Sequence, residues 1–201
     1  MTSDRYFVLV MGVPGSGKTT LARRIIRRVH WVYLDNNFIM DPFYAETRDS
    51  PEFVGLRPRF YEALYNVAAH NLALGNTVLL DAPHVRPMKD PRWWGQMQYL
   101  ADDACAALKV VRCYCSEATL RRRIEDRAEK RDVAKLQDWE GFLREEPIRS
   151  PIPVDHVEIN TEIETATDDK VLRYVMGGDL SNMPIKRGCG GSVGGIGNAH
   201  S

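Results

Sequence analysis

The fold of this chain is decided by one stretch near its N-terminus, Tyr6-Phe7-Val8-Leu9-Val10-Met11-Gly12-Val13-Pro14-Gly15-Ser16-Gly17-Lys18-Thr19-Thr20. Its first six residues form an apolar run with the length of a buried strand. After Lys18, apolar residues at Leu21, Ile25 and Val29 indicate an amphipathic helix. Between strand and helix, three glycines let the backbone curl so that its N–H groups and the positive helix end converge. This order predicts a cradle for phosphate groups.

The loop also satisfies the pattern G-x-x-x-x-G-K-[ST], with the strand before it and the helix after it that the pattern requires. Lys18 is then expected to bridge the β- and γ-phosphates of a nucleotide, and the Thr19 hydroxyl to bind Mg²⁺. The alternative is a glycine-rich turn with an exposed lysine, which the flanking strand and helix disfavour. The predicted nucleotide-binding residues are Gly12, Val13, Pro14, Gly15, Ser16, Gly17, Lys18, Thr19 and Thr20.

Further apolar runs of strand length follow along the chain, each separated from the next by enough residues for a helix. A repeated strand and helix pattern is typical of a parallel sheet covered on both faces. A helix is expected after the N-cap residue Ser116, and another after a capping box at Thr165-x-x-Asp168. The further predicted strands are residues 31–34, 77–80, 108–115 and 156–159, and the first two predicted helices are residues 18–29 and 59–74.

Length and composition indicate one globular domain. The chain has 201 residues, of which 44% are hydrophobic and 27% charged, so it can bury a core and is not disordered as a whole. Its 27 basic residues balance its 27 acidic ones. The chain therefore lacks the net positive charge that would attract nucleic acid or anionic membranes to its surface as a whole. We predict a folded domain over residues 1–176 and a flexible tail over 177–201, which holds 8 of the 15 glycines.

The cysteines and the N-terminus indicate a cytoplasmic protein. The four cysteines form no C-x-x-C pair and lie near no histidines at metal-binding spacing, so we expect reduced thiols. Cys113 and Cys115 are expected to be small core residues of a strand. Neither a signal peptide nor a membrane span fits the N-terminal residues.

Three further segments join the glycine-rich loop in a family resemblance: Leu34-Asp35-Asn36-Asn37, Leu79-Leu80-Asp81 and the arginine-rich residues 121–131. With them, residues 5–176 resemble the P-loop kinases that phosphorylate small molecules or nucleic-acid ends, including gluconate-kinase-like, chloramphenicol-phosphotransferase-like and polynucleotide-kinase-like proteins. The resemblance implies an α/β three-layer αβα sandwich with a parallel five-stranded sheet in the order 2-3-1-4-5 and a helical lid. It also implies ATP and Mg²⁺ as cofactors.

Asp35 and Asp81 each end an apolar run, so in an open parallel sheet both carboxylates point into the crevice where ligands bind. Asp35 could accept the proton of an attacking hydroxyl, as the resemblance also implies from its position. Asp81 could hold a Mg²⁺-bound water or orient the substrate. These roles could be exchanged, and the alternative for each residue is that it caps the following turn.

Arg123, Arg127 and Arg131 follow one another at steps of four, which predicts three cations along one helical face. The resemblance implies that this stretch is a lid whose arginines contact ATP and the transferring phosphoryl group. Arg123 and Arg127 are therefore predicted as catalytic and nucleotide-binding residues, together with Lys18. The alternative is a solvated face neutralised by neighbouring acidic residues.

Three classes of function are compatible with these motifs: a small-molecule phosphotransferase, a kinase of nucleic-acid ends, and a P-loop ATPase or switch that transfers phosphate only to water. The last is disfavoured because the chain is short and contains no Asn-Lys pair for guanine recognition. Residues 35–52 hold five acidic residues and one arginine, which disfavours a polyanionic strand. We therefore expect a small neutral or amine-bearing acceptor covered by Phe38, Phe43 and Tyr44. The sequence does not indicate an oligomeric state.

Overall fold

The computed structural model describes residues 5–44, 50–163 and 167–178. A five-stranded parallel sheet lies at the centre, in the order β2-β3-β1-β4-β5. The predicted fold class and strand order are therefore confirmed. The strands are β1 (Tyr6–Met11), β2 (Val32–Asp35), β3 (Val78–Asp81), β4 (Ala107–Tyr114) and β5 (His156–Asn160).

Helices cover both faces of the sheet. Helices α1 and α8 pack on one face, α3 and α4 pack on the other, and α5 and α7 enclose a third apolar cluster beside the loop after β1. In the described part of the chain the helices are α1 (Lys18–Arg28), α2 (Asn36–Tyr44), α3 (Pro51–Ala73), α4 (Pro91–Asp103), α5 (Glu117–Arg127), α6 (Val133–Gln137), α7 (Trp139–Glu145) and α8 (Thr167–Met176).

The alternation of side chains along β1 builds both halves of the core. Phe7 and Leu9 face α3 and α4, while Val8 and Val10 face α1 and α8, and all four are fully buried. Successive side chains of a strand point to opposite faces, so a central strand covered on both sides must be apolar throughout. An unbroken apolar run such as Tyr6–Met11 is therefore typical of a central strand.

Several elements differ from the sequence predictions. Helix α3 begins at Pro51, where Ser50 accepts a hydrogen bond from the Phe53 N–H, rather than at residue 59. Four helices of the described residues were not predicted, namely α2, α4, α6 and α7. Thr165 and residues 179–201 lie outside the described residues. The capping box and the flexible tail therefore remain predictions.

The described cysteines are free thiols, and Cys113 and Cys115 are buried as expected. Over the ranges that the structure describes, no helix combines the length and apolar character needed to cross a bilayer.

Candidate active site

The loop after β1 wraps the N-terminus of α1 and is packed tightly against its neighbours. Gly15 has a φ of +84°, and a Cβ there would lie 2.9 Å from Ile124 Cγ1 of α5. Gly17, with a φ of +86°, leads into α1, and a Cβ there would meet the Thr161 side chain at 2.9 Å. Both positions combine a left-handed backbone with no room for a side chain, so only glycine fits. The cradle is thereby fixed against both α5 and the end of β5.

A cleft of about 1070 Å³ opens over this loop at the carboxyl end of the sheet. The predicted nucleotide-binding residues divide into two groups around it. Gly12, Val13 and Ser16 are not among its lining residues and are buried. The predicted residues that line the cleft are Pro14, Gly15, Gly17, Lys18, Thr19 and Thr20.

Lys18 is buried rather than exposed, with 7% of its surface accessible. Its Nζ donates a 2.9 Å hydrogen bond to the Val13 carbonyl. Burial lowers the pKa of Lys18, and the nearby Asp81 carboxylate opposes that shift. The alternative of a turn with an exposed lysine is therefore wrong. A desolvated ammonium group held in a glycine loop is suited to binding an anion.

Thr19, Asp81, Tyr33 and Asp35 form one hydrogen-bonded group. The Thr19 hydroxyl donates to Asp81 Oδ2 at 2.6 Å, and the Tyr33 hydroxyl lies 3.2 Å from the same oxygen and 3.1 Å from Asp35 Oδ2. Asp35 and Asp81 are register partners in adjacent parallel strands, which brings the two carboxylates together as predicted. Burial raises the pKa of Asp81, while the charge of Lys18 opposes this shift.

Asp35 also caps α2. Its Oδ1 accepts hydrogen bonds from the backbone N–H groups of Asn37 at 2.9 Å and Phe38 at 3.3 Å, and its Oδ2 pairs with Arg23 at 3.5 Å. Asp35 is 6% exposed and does not line the cleft, whereas Asp81 does. The prediction that both carboxylates point into the crevice is therefore correct for Asp81 and wrong for Asp35, whose oxygens face the start of α2 and Arg23. Asp35 therefore has the capping role that the sequence left open, since it accepts hydrogen bonds from the first backbone N–H groups of α2.

The residues around Thr19 suit a magnesium ion. Mg²⁺ takes oxygen ligands and is usually held by one or two carboxylates together with substrate phosphates and waters. The Thr19 hydroxyl and the Asp81 carboxylate supply that donor set next to the phosphate cradle. Within the described ranges no group of three or more His, Cys, Asp or Glu side chains could hold a metal by itself. A site completed by nucleotide phosphates fits this arrangement.

The three arginines of the predicted lid line the cleft but do not share one helical face. Helix α5 ends at Arg127 because Ala128 adopts a left-handed conformation with φ +48°, so Arg131 lies in a separate 3-10 turn. Arg123 donates to the side chain and carbonyl of Thr161, at 2.8 and 2.9 Å. Arg127 pairs with Asp132 at 2.5 Å. The prediction of three stacked cations is corrected to three separately anchored ones.

The far wall of the cleft, formed by α2 and α3, was not predicted from the sequence. Arg57, Tyr61 and Tyr65 follow one another at steps of four on α3 and line it, together with Met40 of α2. The side-chain spacing on a helix explains the shared face, but only the packing of α3 onto the sheet identifies its partner. The residues of α3 match no known binding motif, so the sequence alone did not identify them as part of a site.

The predicted aromatic cover is in part wrong. Phe38 and Phe43 are 79% and 65% exposed and do not line the cleft, because α2 turns Asn36 and Met40 toward it. Tyr44 belongs to α2, but its side chain lies outside what is described. The cleft is instead lined by Phe53, Tyr61 and Tyr65.

The acidic character expected for residues 35–52 is reduced by pairing. Asp41 binds Arg131 Nη1 at 2.9 Å through Oδ1. Glu46 and Asp49, together with Arg48, lie outside the described residues. Across the cleft, Arg86 pairs with Glu145 at 2.7 Å and with Glu146 at 3.3 Å.

Comparison with known proteins agrees with this architecture. A model of the family described as "AAA domain" matches residues 7–145. No curated protein matches the chain in sequence. Among solved structures, a candidate kinase from Chloroflexus aurantiacus j-10-fl is similar at 20% identity and a TM-score of 0.65, covering 87% of this chain and 95% of that one.

Two further solved structures have the same fold. A sugar kinase from Janibacter sp. HTCC2649 is 14% identical with a TM-score of 0.60, covering 87% of this chain and 96% of that chain. A gluconokinase from Sinorhizobium meliloti 1021 is 16% identical with a TM-score of 0.54, covering 89% and 93%. At these identities the likeness establishes a P-loop kinase-like fold and leaves the chemistry to the site itself.

Proposed function

Because this chain belongs to the AAA domain family of P-loop proteins, we propose that it is an ATP-dependent kinase. It transfers the γ-phosphoryl group of ATP to a hydroxyl of a small neutral or amine-bearing molecule. The observation that carries the proposal is the extent of the cleft, about 1070 Å³, which runs from the phosphate loop to the wall formed by α2 and α3. Ligand pockets usually measure about 300–1,000 Å³, so this one offers space for a nucleotide and an acceptor.

The charged side chains around the cleft favour an acceptor without a large net charge. Arg86 is paired with Glu145 and Glu146, and Arg131 with Asp41. Lys135 is paired with Asp132 at 2.8 Å. Charges that already neutralise one another attract a polyanion weakly. The partly exposed Tyr61 offers a ring to a compact molecule, beside the buried Met40 and Phe53.

In this mechanism the phosphate loop and the arginines of the predicted lid stabilise the negative charge that builds up on the transferring phosphoryl group. ATP is the donor of the phosphoryl group, and Thr19 and Asp81 would hold Mg²⁺, which would neutralise charge on the phosphates. Lys18 binds the phosphates of ATP. Asp35 or Asp81 accepts the proton of the attacking hydroxyl or orients it, and Asp81 is the one of the two that lines the cleft. Arg127 contributes once its ion pair with Asp132 has opened. Arg127 is the last residue of α5 and lines the cleft, so its side chain is within reach of the bound phosphates.

A kinase of nucleic-acid 5′-hydroxyl ends is the second candidate. It is favoured by Arg57, Arg86 and Arg131, three arginines that line the cleft beyond the phosphate loop. A P-loop ATPase that transfers phosphate only to water is the third, and it follows if no acceptor is found.

The test is a radiolabelled-ATP transfer screen against alcohols, sugars, nucleosides, aminoglycosides and 5′-hydroxyl oligonucleotides, with a Lys18→Met variant as the background. Label in a small molecule that depends on Lys18 supports the proposal. A 5′-hydroxyl oligonucleotide that outperforms every small molecule replaces it with the second candidate. Release of inorganic phosphate alone, at a rate that no acceptor changes, replaces it with the third.

A further inference from the structure

Asn36 carries a buried polar atom that has no partner. The residue is 3% exposed, and its side-chain Oδ1 makes no hydrogen bond. Buried polar groups in proteins are nearly always paired, because an unpaired one loses its hydration without compensation. An orphaned amide oxygen therefore needs an explanation.

Four other buried side-chain atoms in the described residues share this condition, but Asn36 is the one member of the group that lines the cleft. The other four belong to Ser16, His84, Arg112 and Ser150. Asn36 is also the first residue of α2, and it directly follows Asp35 at the end of β2. Its unsatisfied group is thus next to one of the two residues that are proposed to meet the attacking hydroxyl.

The neighbouring residues show that Asn36 lies on the face of α2 that turns toward the cleft. Met40 lies four residues further along α2, on the same face, and is 2% exposed while also lining the cleft. Phe38, two residues along, is 79% exposed on the other side. Because the Asp35 carboxylate caps this helix, the first turn of α2 and with it Asn36 is held in place.

We propose that Asn36 determines acceptor specificity, and that its side-chain oxygen accepts a hydrogen bond from a second hydroxyl or an ammonium group of the acceptor. The acceptor is then a polyhydroxyl compound or an amino alcohol, and a simple alcohol is rejected. This inference rests on the proposed kinase function. A site that is built to bind a polar hydrogen discriminates strongly against an analogue that lacks it, since the protein group is then left unpaired.

The acceptor test uses triads that differ at one position. The first is D-glucose, 2-deoxy-D-glucose and D-glucosamine, and the second is adenosine, 2′-deoxyadenosine and 2′-amino-2′-deoxyadenosine. Wild-type enzyme is expected to prefer the hydroxyl or amine member over the deoxy member. Asn36→Leu should lower kcat/KM for the preferred member about 10- to 100-fold, as for one lost hydrogen bond. The preference for the hydroxyl or amine member over the deoxy member should therefore largely disappear, because leucine leaves no unpaired oxygen when the deoxy member binds.

Asn36→Asp separates the two kinds of donor, because a carboxylate pairs with ammonium more strongly than an amide does. An improved KM for the amine member identifies an amino alcohol, and an unchanged ranking identifies a polyhydroxyl acceptor. An Asn36→Leu enzyme that still discriminates within the triad as the wild type does would overturn the proposal.

A second measurement does not depend on the acceptor. An orphaned group costs stability, so Asn36→Leu should unfold in urea at the same or a higher midpoint than the wild type. A clearly lower midpoint would assign Asn36 a structural role and overturn the inference even without an acceptor. Failure of the wild type to phosphorylate any panel member contradicts the proposed function instead, and the urea comparison then decides on Asn36.

Discussion

Thr19 and Asp81 are joined by a hydrogen bond of 2.6 Å between Oγ1 and Oδ2. Thr19 belongs to the first turn of α1, and Asp81 is the last residue of β3. The bond therefore ties the phosphate loop and its helix to the sheet at the point where the two predicted magnesium-binding residues meet. Tyr33 extends the connection to Asp35, so the proposed metal and acceptor ends of the site share one network.

Asp81→Asn should weaken binding of ATP in the presence of Mg²⁺ by about 10- to 100-fold, the usual cost of disturbing a metal site. The amide still accepts the Thr19 hydrogen bond but carries no charge for the ion. Titration calorimetry with and without EDTA checks this. Affinity for metal-free ATP should stay close to that of the wild type, and an equal loss under both conditions would contradict a metal role.

Lys18→Met should abolish transfer while leaving the fold stable. The lysine is buried, and its pKa is lowered because burial disfavours the charge, so an apolar side chain of similar length suits the folded state. Loss of a positioned cation is expected to cost on the order of 10²-fold or more in kcat. Turnover and the urea midpoint are measured together. Near-normal turnover would remove Lys18 from the proposed mechanism.

Arg123 and Arg127 should behave differently. Arg127→Ala removes the pair with Asp132, which keeps its pair with Lys135, and it removes a cation that we propose acts on the transferring group. It should therefore slow single-turnover transfer with little change in ATP affinity. Arg123→Ala also removes two bonds to Thr161 and should lower the unfolding midpoint. The exposed Arg122, on the same helix, is the matched control for both. Single-turnover rates that equal those of Arg122→Ala would show that Arg127 does not act in the chemical step.

The sequence predicted the sheet and the phosphate loop because both depend on local patterns. It did not predict that α5 ends at Arg127, since Ala128 is neither of the residues that usually adopt a left-handed cap. It also missed Tyr61 and Tyr65, whose importance comes from the packing of α3 across the cleft. Residues that meet only through tertiary contacts give no signal in a single sequence.

His84 should make the protein less stable in acid. Its side chain is fully buried, and burial, followed by the charge of Lys18, lowers its pKa to about 3. Between about pH 6.5 and 3 the unfolded chain therefore binds a proton that the folded one does not, so stability falls as the pH falls. From pH 7 to 5 the loss is about 2 kcal/mol.

Urea unfolding at both pH values measures this loss, with His84→Asn as the comparison, because asparagine tolerates the left-handed backbone of this position. The variant can be less stable at each pH, but its stability should change less between them. Equal changes in the two proteins would show that His84 does not carry the effect.

Asp35 gives the sharpest test of the acceptor end, because the structure separates its two roles. As a helix cap it can be replaced by asparagine, which caps nearly as well, whereas alanine costs about 1 kcal/mol. As a base it cannot be replaced by asparagine, which keeps the shape and the hydrogen bonds to Asn37 and Phe38 but has no basicity. Asp35→Asn should therefore keep the urea midpoint and ATP affinity and lose about 10²- to 10⁴-fold in transfer rate. Asp35→Ala should lose both transfer and stability. If Asp35→Asn transfers phosphate as fast as the wild type, Asp35 only caps α2, and Asp81, the carboxylate that lines the cleft, takes its place as the candidate base.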